Sequence, residues 1–141
     1  MAIRPILHYG DPRLEAENGP VETFDEGLHE LSLDLFETGW KAPGLGLAAP
    51  QIGVNLRLAV VDLSVGKDPE SRMVVANPEI VHREGRVALE EGCLSFPGLF
   101  TTINRPRQVR VRAQDGEGRW REIEADGILA QALCHEIDHL D

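Results

Sequence analysis

No stretch of this 141-residue chain is apolar for long enough to cross a membrane as a helix, and its opening residues, Met1-Ala2-Ile3-Arg4-Pro5, do not form a secretory leader. Its two cysteines are too few for a disulfide framework. Positive charge is also scarce: 14 Lys and Arg face 24 Asp and Glu, a formal charge of -10 that supplies no basic surface for nucleic acid or an anionic membrane. Internal repeats and low-complexity segments are missing as well. These absences leave the expectation of one cytoplasmic domain, residues 1–141, with no membrane association and no specific nucleic-acid binding, long enough to bury a proper core.

What the chain does contain is concentrated at its end. In residues 126–141 apolar side chains recur at Leu129, Ala132, Leu133, Ile137 and Leu140, with Asp126 available as an N-cap, which is the pattern of an amphipathic helix. Within it lies an HExxH motif, His135-Glu136-Ile137-Asp138-His139. Positions four apart share a helix face, so His135 and His139 can offer two ring nitrogens to one metal ion, and Glu136 can reach a water on that ion. The plainer alternative is a helix whose dipole favours two histidines near its C-terminus.

A catalytic site of this kind takes three protein ligands and keeps one position open. Only Leu140 and Asp141 follow His139, so a third donor has to come from upstream. The conspicuous residue there is Cys93, in Glu90-Glu91-Gly92-Cys93-Leu94-Ser95, although a small buried apolar residue is the other reading of a free cysteine. A thiolate with two imidazoles suits Zn, Fe(II), Co or Ni and not Mg or Ca. A third stretch, Gly44-Leu45-Gly46-Leu47-Ala48-Ala49-Pro50-Gln51, describes either a Gly/Pro-rich connection or a backbone that passes close to something and presents one amide side chain to it. It lacks the Lys-Ser/Thr pair of a phosphate-binding loop.

Taken together and in this order, the glycine stretch, Glu91-Gly92-Cys93-Leu94-Ser95 and the HExxH motif resemble the peptide deformylase family, in a form short at its C-terminus. The resemblance implies a metal-dependent hydrolase that removes the N-formyl group from the N-terminal formylmethionine of nascent polypeptides and releases formate. It implies Cys93, His135 and His139 as ligands of an Fe2+ cofactor, for which Ni2+, Co2+ or Zn2+ can substitute. Glu136 would be the acid–base group, with the Gln51 amide and the Leu94 backbone N–H as hydrogen-bond donors to the oxyanion. Gly44, Leu45 and Gly46 would run beside the substrate backbone. Leu45, Leu94, Phe100, Leu129, Ala132 and His135 would line the pocket for the methionine side chain, positions that, His135 apart, ordinary core packing would explain equally. Glu91 with Arg105 resembles an ion pair that props the site, and a solvated face would account for both charges too. The partners implied are N-formylmethionyl peptides and nascent chains, with transient contact at the ribosome.

Two departures accompany the resemblance. Cys134 stands where the family usually has Gln or Asn, as either a buried inert thiol or a route to oxidation. The resembled proteins mostly continue beyond this motif, so His139 falls in a last turn whose metal-free end is expected to be loose. Three other functions use the same residues: an HExxH peptidase, which lacks its downstream ligand here; a metal-binding protein without turnover; and a thiol hydrolase with Cys93 as nucleophile.

Elsewhere, Thr23 and Glu26 have the spacing of a capping box, opening a helix to about Trp40 whose stripe of Phe24, Leu28, Leu31, Leu35, Phe36 and Trp40 is core. Strands are expected at 56–63, at 73–76 with a stop at Asn77-Pro78, and in short form at 80–81 and 87–89. Residues 109–114 and 120–124 form a hairpin about Asp115-Gly116-Glu117-Gly118. His8, His29 and His82 read as surface or packing residues. The fold class is α+β, with mixed or antiparallel sheets around a central helix that carries the HExxH motif, and an N-terminal helix.

Overall fold

Strand β2, Leu58–Val61, is apolar at every position because both of its faces are covered. Leu58 and Val60 point to one side, into a cluster with Leu35, Phe36 and Leu47. Val61 points to the other, against Ala130, Leu133 and Ile137, and Ala59 packs with Ala48 and Leu140. Since side chains alternate along a strand, two helices must lie on opposite faces of the sheet. The structure, a computed structural model, describes residues 2–141, with residue 96 described by its backbone alone.

The two helices are α1, Glu26–Lys41, and α2, Gly127–Leu140. Between them lies an antiparallel sheet in the order β1-β2-β3-β6-β7, formed with β1, Gly46–Ala48; β3, Met73–Glu84; β6, Gln108–Gln114; and β7, Trp120–Asp126. A separate two-stranded ribbon joins β4, Val87–Cys93, to β5, Phe96–Arg105. The fold is therefore α+β, with the HExxH helix packed on the sheet. Val109, Val111 and Ala113 of β6 face that helix while Arg110 and Arg112 face outward, which is the alternation written in the sequence.

Several boundaries differ from those expected, each for a local reason. Asp25 rather than Thr23 caps α1, its carboxylate accepting from the Leu28 N–H at 3.0 Å. The strand expected over 56–63 is confined to Leu58–Val61. Strand β3 does not stop at Asn77-Pro78: register shifts between Ala76 and Glu79 accommodate the proline, where no ladder bond is asked of it. Asn77 absorbs the distortion with a φ of 50°. Its side chain accepts from Val21 N (2.8 Å) and donates to Val21 O (2.9 Å) and Gln114 Oε1 (2.7 Å), pinning the chain before α1 to the sheet. Strand β4 runs on through Cys93, and its partner β5 was not expected at all, because β5 is largely exposed and carries no apolar alternation.

The end of α2 has hydrogen-bond partners outside the helix. Asn18 Nδ2 donates to the carbonyls of His139 (3.3 Å) and Leu140 (3.2 Å), and Arg57 Nη1 donates to Leu140 O at 2.9 Å. These side chains satisfy carbonyls that a helix C-terminus leaves without partners. They hold the last turn, and with it His139.

Asn77 separates two contributions experimentally. Asn77→Ala loses three hydrogen bonds and must hold a left-handed backbone, whereas Asn77→Gly loses the bonds alone. Urea denaturation should find both variants less stable than the parent, with alanine lower than glycine by about 1–2 kcal/mol.

Candidate active site

Three segments remote in sequence meet under β1. Helix α2 brings His135, Glu136 and His139; the end of β4 brings Cys93; and the 3-10 turn Ala49–Ile52 after β1 brings Gln51. Cys93 Sγ lies 3.3 Å from His139 Nε2, which lies 3.3 Å from His135 Nε2, and the three donor atoms all fall within 4.8 Å of one another. Burial, with His135 alongside, lowers the His139 pKa to about 4, so its imidazole is held neutral, the form that ligates a metal.

Each of these side chains is oriented by another. His135 Nδ1 donates to Glu91 Oε1 at 3.0 Å, which fixes the ring and leaves Nε2 for the centre. Glu91 is in turn gripped by Arg105, whose Nε and Nη2 reach its two oxygens at 2.9 and 2.8 Å. Arg105 Nη1 reaches back to α2 and donates to Asp138 Oδ2 at 2.5 Å. Glu91 and Arg105 are both buried, not on a solvated face. Burial alone would raise the Glu91 pKa, but hydrogen bonds from Arg105 and His135 outweigh it and bring the carboxyl down to about 2. Gln51 is also buried, with Oε1 accepting from Ala48 N at 3.0 Å. That bond turns Nε2 toward Ser95 Oγ (3.2 Å) and Cys93 Sγ (3.7 Å).

Glu136 is the exception. It is sealed from solvent, and its Oε1 has no hydrogen-bond partner among the described residues. Burial, reinforced by the charge of Glu91, pushes its pKa from 4.5 to about 8. Gly46 is the reason the carboxyl fits. A Cβ at that position would meet Glu136 Oε2 at 2.8 Å and the carbonyl of Val60 at 2.9 Å, and the second of these is backbone. Gly44 is similarly confined, since a Cβ there would come within 2.9 Å of Leu94 Cδ1.

The centre opens into a cavity of about 750 Å3. Gly44, Leu45, Gly46, Glu91, Leu94, Phe100 and Ala132 all border it. Leu129 does not: it packs against the core between α2 and the sheet. Helical periodicity explains the difference, because Ile128 is seven residues before His135, close to two whole turns, and shares its face, while Leu129 is rotated away. Ile128 and Gln131 line the cavity and were missed, although that spacing pointed to both. Ser95, Asp138 and His8 were missed too, the first two acting on Gln51 and Arg105 and the last bordering the cavity. Cys134 lies in the core, where burial raises the pKa of its thiol.

One sulfur and two imidazole nitrogens at a common point, beside a buried carboxyl with an unpartnered oxygen, fit a divalent transition metal. An HExxH helix with a third donor and an adjoining cavity defines a metal-dependent hydrolase. The sequence model of the family described as polypeptide deformylase matches residues 3–141, and the chain belongs to that family. It is 50% identical to the peptide deformylase of Acidobacterium capsulatum and 48% identical to that of Chromobacterium violaceum, in each case over all of this chain and 83% of the relative. Among solved structures, the peptide deformylase of Legionella pneumophila superposes with a TM-score of 0.94 at 50% identity, covering 99% of this chain and 81% of that one. The enzyme of Thermotoga maritima gives 0.91 at 38% identity, covering 99% and 92%.

The buried carboxyls make opposite demands on pH. A raised pKa means that folding favours protonated Glu136, so its contribution to stability is complete below 4.5 and is lost as pH rises through about 8. In metal-free protein, Glu136→Gln should therefore gain stability over the parent across this interval, by up to about 5 kcal/mol, read from urea midpoints at successive pH values. Glu91 has the reverse sign, contributing above 4.5 and losing its contribution as pH falls toward 2. Glu91→Ala leaves buried Arg105 with Asp138 as its remaining carboxylate and His135 Nδ1 without its acceptor, and should cost about 3 kcal/mol at pH 7, toward the lower end for a broken buried pair.

Proposed function

We propose that Cys93, His135 and His139 hold an Fe2+ ion, with Ni2+, Co2+ or Zn2+ as substitutes, and that the residues around them carry out deformylation of nascent chains beginning with N-formylmethionine. The chemistry supplied by such an ion when bound is Lewis-acid activation of water and of the formyl carbonyl. The observation that carries the reading is Glu136 Oε1, a buried oxygen without a partner beside the Cys-His-His cluster. In its ionised form, which a cation at the adjoining cluster would favour, the carboxyl held there takes a proton from water as the water oxygen attacks the formyl carbon. It returns that proton to the amine nitrogen as the C–N bond breaks, so formate and a free amino terminus leave together.

Charge develops meanwhile on the formyl oxygen. Gln51 Nε2, aimed at the cluster by the Ala48 N–H and Ser95, donates one hydrogen bond to it, and the Leu94 backbone N–H, in the turn between β4 and β5, donates another. Strand β1 is the edge of its sheet, so the backbone at Gly44, Leu45 and Gly46 can pair with a peptide laid along it as an added strand. Leu45, Leu94, Phe100 and Ala132 supply apolar wall for the first side chain. The setting is the cytoplasm, where reducing conditions keep the Cys93 thiolate intact and nascent chains are met as they leave the ribosome.

Protein prepared anaerobically and loaded with Fe(II) or Ni(II) should release formate from formyl-Met-Ala-Ser. Glu136→Gln, metallated to the same stoichiometry, should be slower by about 10²-fold or more. Chelation should abolish turnover, whereas an enzyme with Cys93 as nucleophile would be indifferent to it. No formate from folded, fully metallated protein would overturn the reading.

A further inference from the structure

Away from the Cys-His-His centre, where Glu136 Oε1 stands without a partner, the cavity wall carries one further unpartnered amide. Arg4, Gln51 and Glu91 are hydrogen-bonded within the protein, and Lys41 and Glu90 are exposed at the rim. Gln131 is half-buried, borders the cavity, and has no hydrogen-bond partner for its amide among the described residues. It stands on the same face of α2 as His135 and one turn earlier, about 6 Å along the helix axis. That displacement matches the reach of an extended methionine side chain from a formyl group held at the centre. A first side chain running along this face of α2 would end beside Gln131, with Leu94, Phe100, Ile128 and Ala132 supplying the apolar remainder of the wall.

An amide presents two N–H donors, for which a thioether sulfur is a poor acceptor. A sulfoxide oxygen is a good one, and oxidation of methionine produces it without lengthening the carbon chain. We propose that Gln131 is a specificity-determining residue that allows the cavity to take a first side chain ending in a hydrogen-bond acceptor, so that chains beginning with N-formylmethionine sulfoxide are deformylated alongside those beginning with N-formylmethionine. The inference rests on the deformylase reading. The reaction is the same hydrolysis of the formyl C–N bond, with the sulfoxide unchanged. A wall without Gln131 would strip water from the sulfoxide oxygen and offer nothing in return, a loss of about tenfold in kcat/KM.

The test compares formyl-Met-Ala-Ser with both epimers of its sulfoxide, in the metallated parent protein and in Gln131→Leu and Gln131→Met, which keep the bulk and remove the donors. The expected ratio of kcat/KM, sulfoxide over thioether, lies within about threefold of one in the parent for at least one epimer and falls about tenfold in both variants. A second readout needs neither metal nor turnover. In metal-free protein, the side-chain amide resonances of Gln131 should shift on titration with the product peptide bearing the sulfoxide, and shift less with Met-Ala-Ser. Formate from the thioether substrate with an unchanged ratio in both variants would overturn the inference and leave deformylation standing. Absence of formate from either substrate with the parent protein would overturn deformylation and the inference with it.

Discussion

A carboxyl sealed in the interior with an oxygen unpaired is among the most unfavourable groups a fold can hold, and the structure is arranged around the one at Glu136. Its position on α2 is fixed by packing of Ala130, Leu133 and Ile137 on the sheet, and the space for its head exists only because residue 46 has no Cβ. The cost is not relieved within the protein: the charge of Glu91 is of the same sign and raises the pKa further, and the opposing influence of Arg105 is the smaller. In the proposed reaction, a bound cation and a water would give the oxygens the partners that the chain withholds. The strain of folding is placed where the reaction uses it.

The supporting residues follow a different principle. Glu91, Arg105 and Asp138 form a line of charge that begins at His135 Nδ1 and returns to the exposed face of the same helix. Buried ion pairs of this kind are seldom a net source of stability, because desolvation offsets their attraction. Their value here is positional: two carboxylates from different elements converge on one planar guanidinium, and that geometry sets the orientation of the His135 ring, the proposed metal ligand, to within the tolerance of a hydrogen bond. Asn18 and Arg57 do for His139, through the carbonyls of the last helical turn, what Glu91 does for His135 through its ring.

How much of this could be read from the sequence depends on whether a residue's role was local. The HExxH face, the β6–β7 alternation and the glycine at 46 are consequences of helical or strand periodicity and of close backbone approach, and each leaves a mark on a short stretch of sequence. Asp138 on Arg105, Ser95 on Gln51 and Asn77 on Val21 are contacts between residues 33, 44 and 56 positions apart, and no local pattern encodes them. Strand β5 was invisible because an exposed ribbon needs no apolar alternation, and β3 was broken too early because proline was taken as a stop where a bulge accommodates it. Leu129, named for the pocket by the resemblance, takes the alternative of core packing while its neighbour Ile128 borders the cavity, and in a helix one residue is enough to make that difference.

The acidic character of the chain belongs in the same argument. Near the centre the buried positive charge is Arg105, and its guanidinium is already committed to two carboxylates. The surroundings are thus negative, which favours capture of a divalent cation and disfavours retention of an anion. Hydrolysis of a formamide produces one anion, formate, at the point where that field acts, while the new amino terminus leaves as a cation or neutral amine along an apolar wall. The net charge of -10 acts in the same sense at longer range.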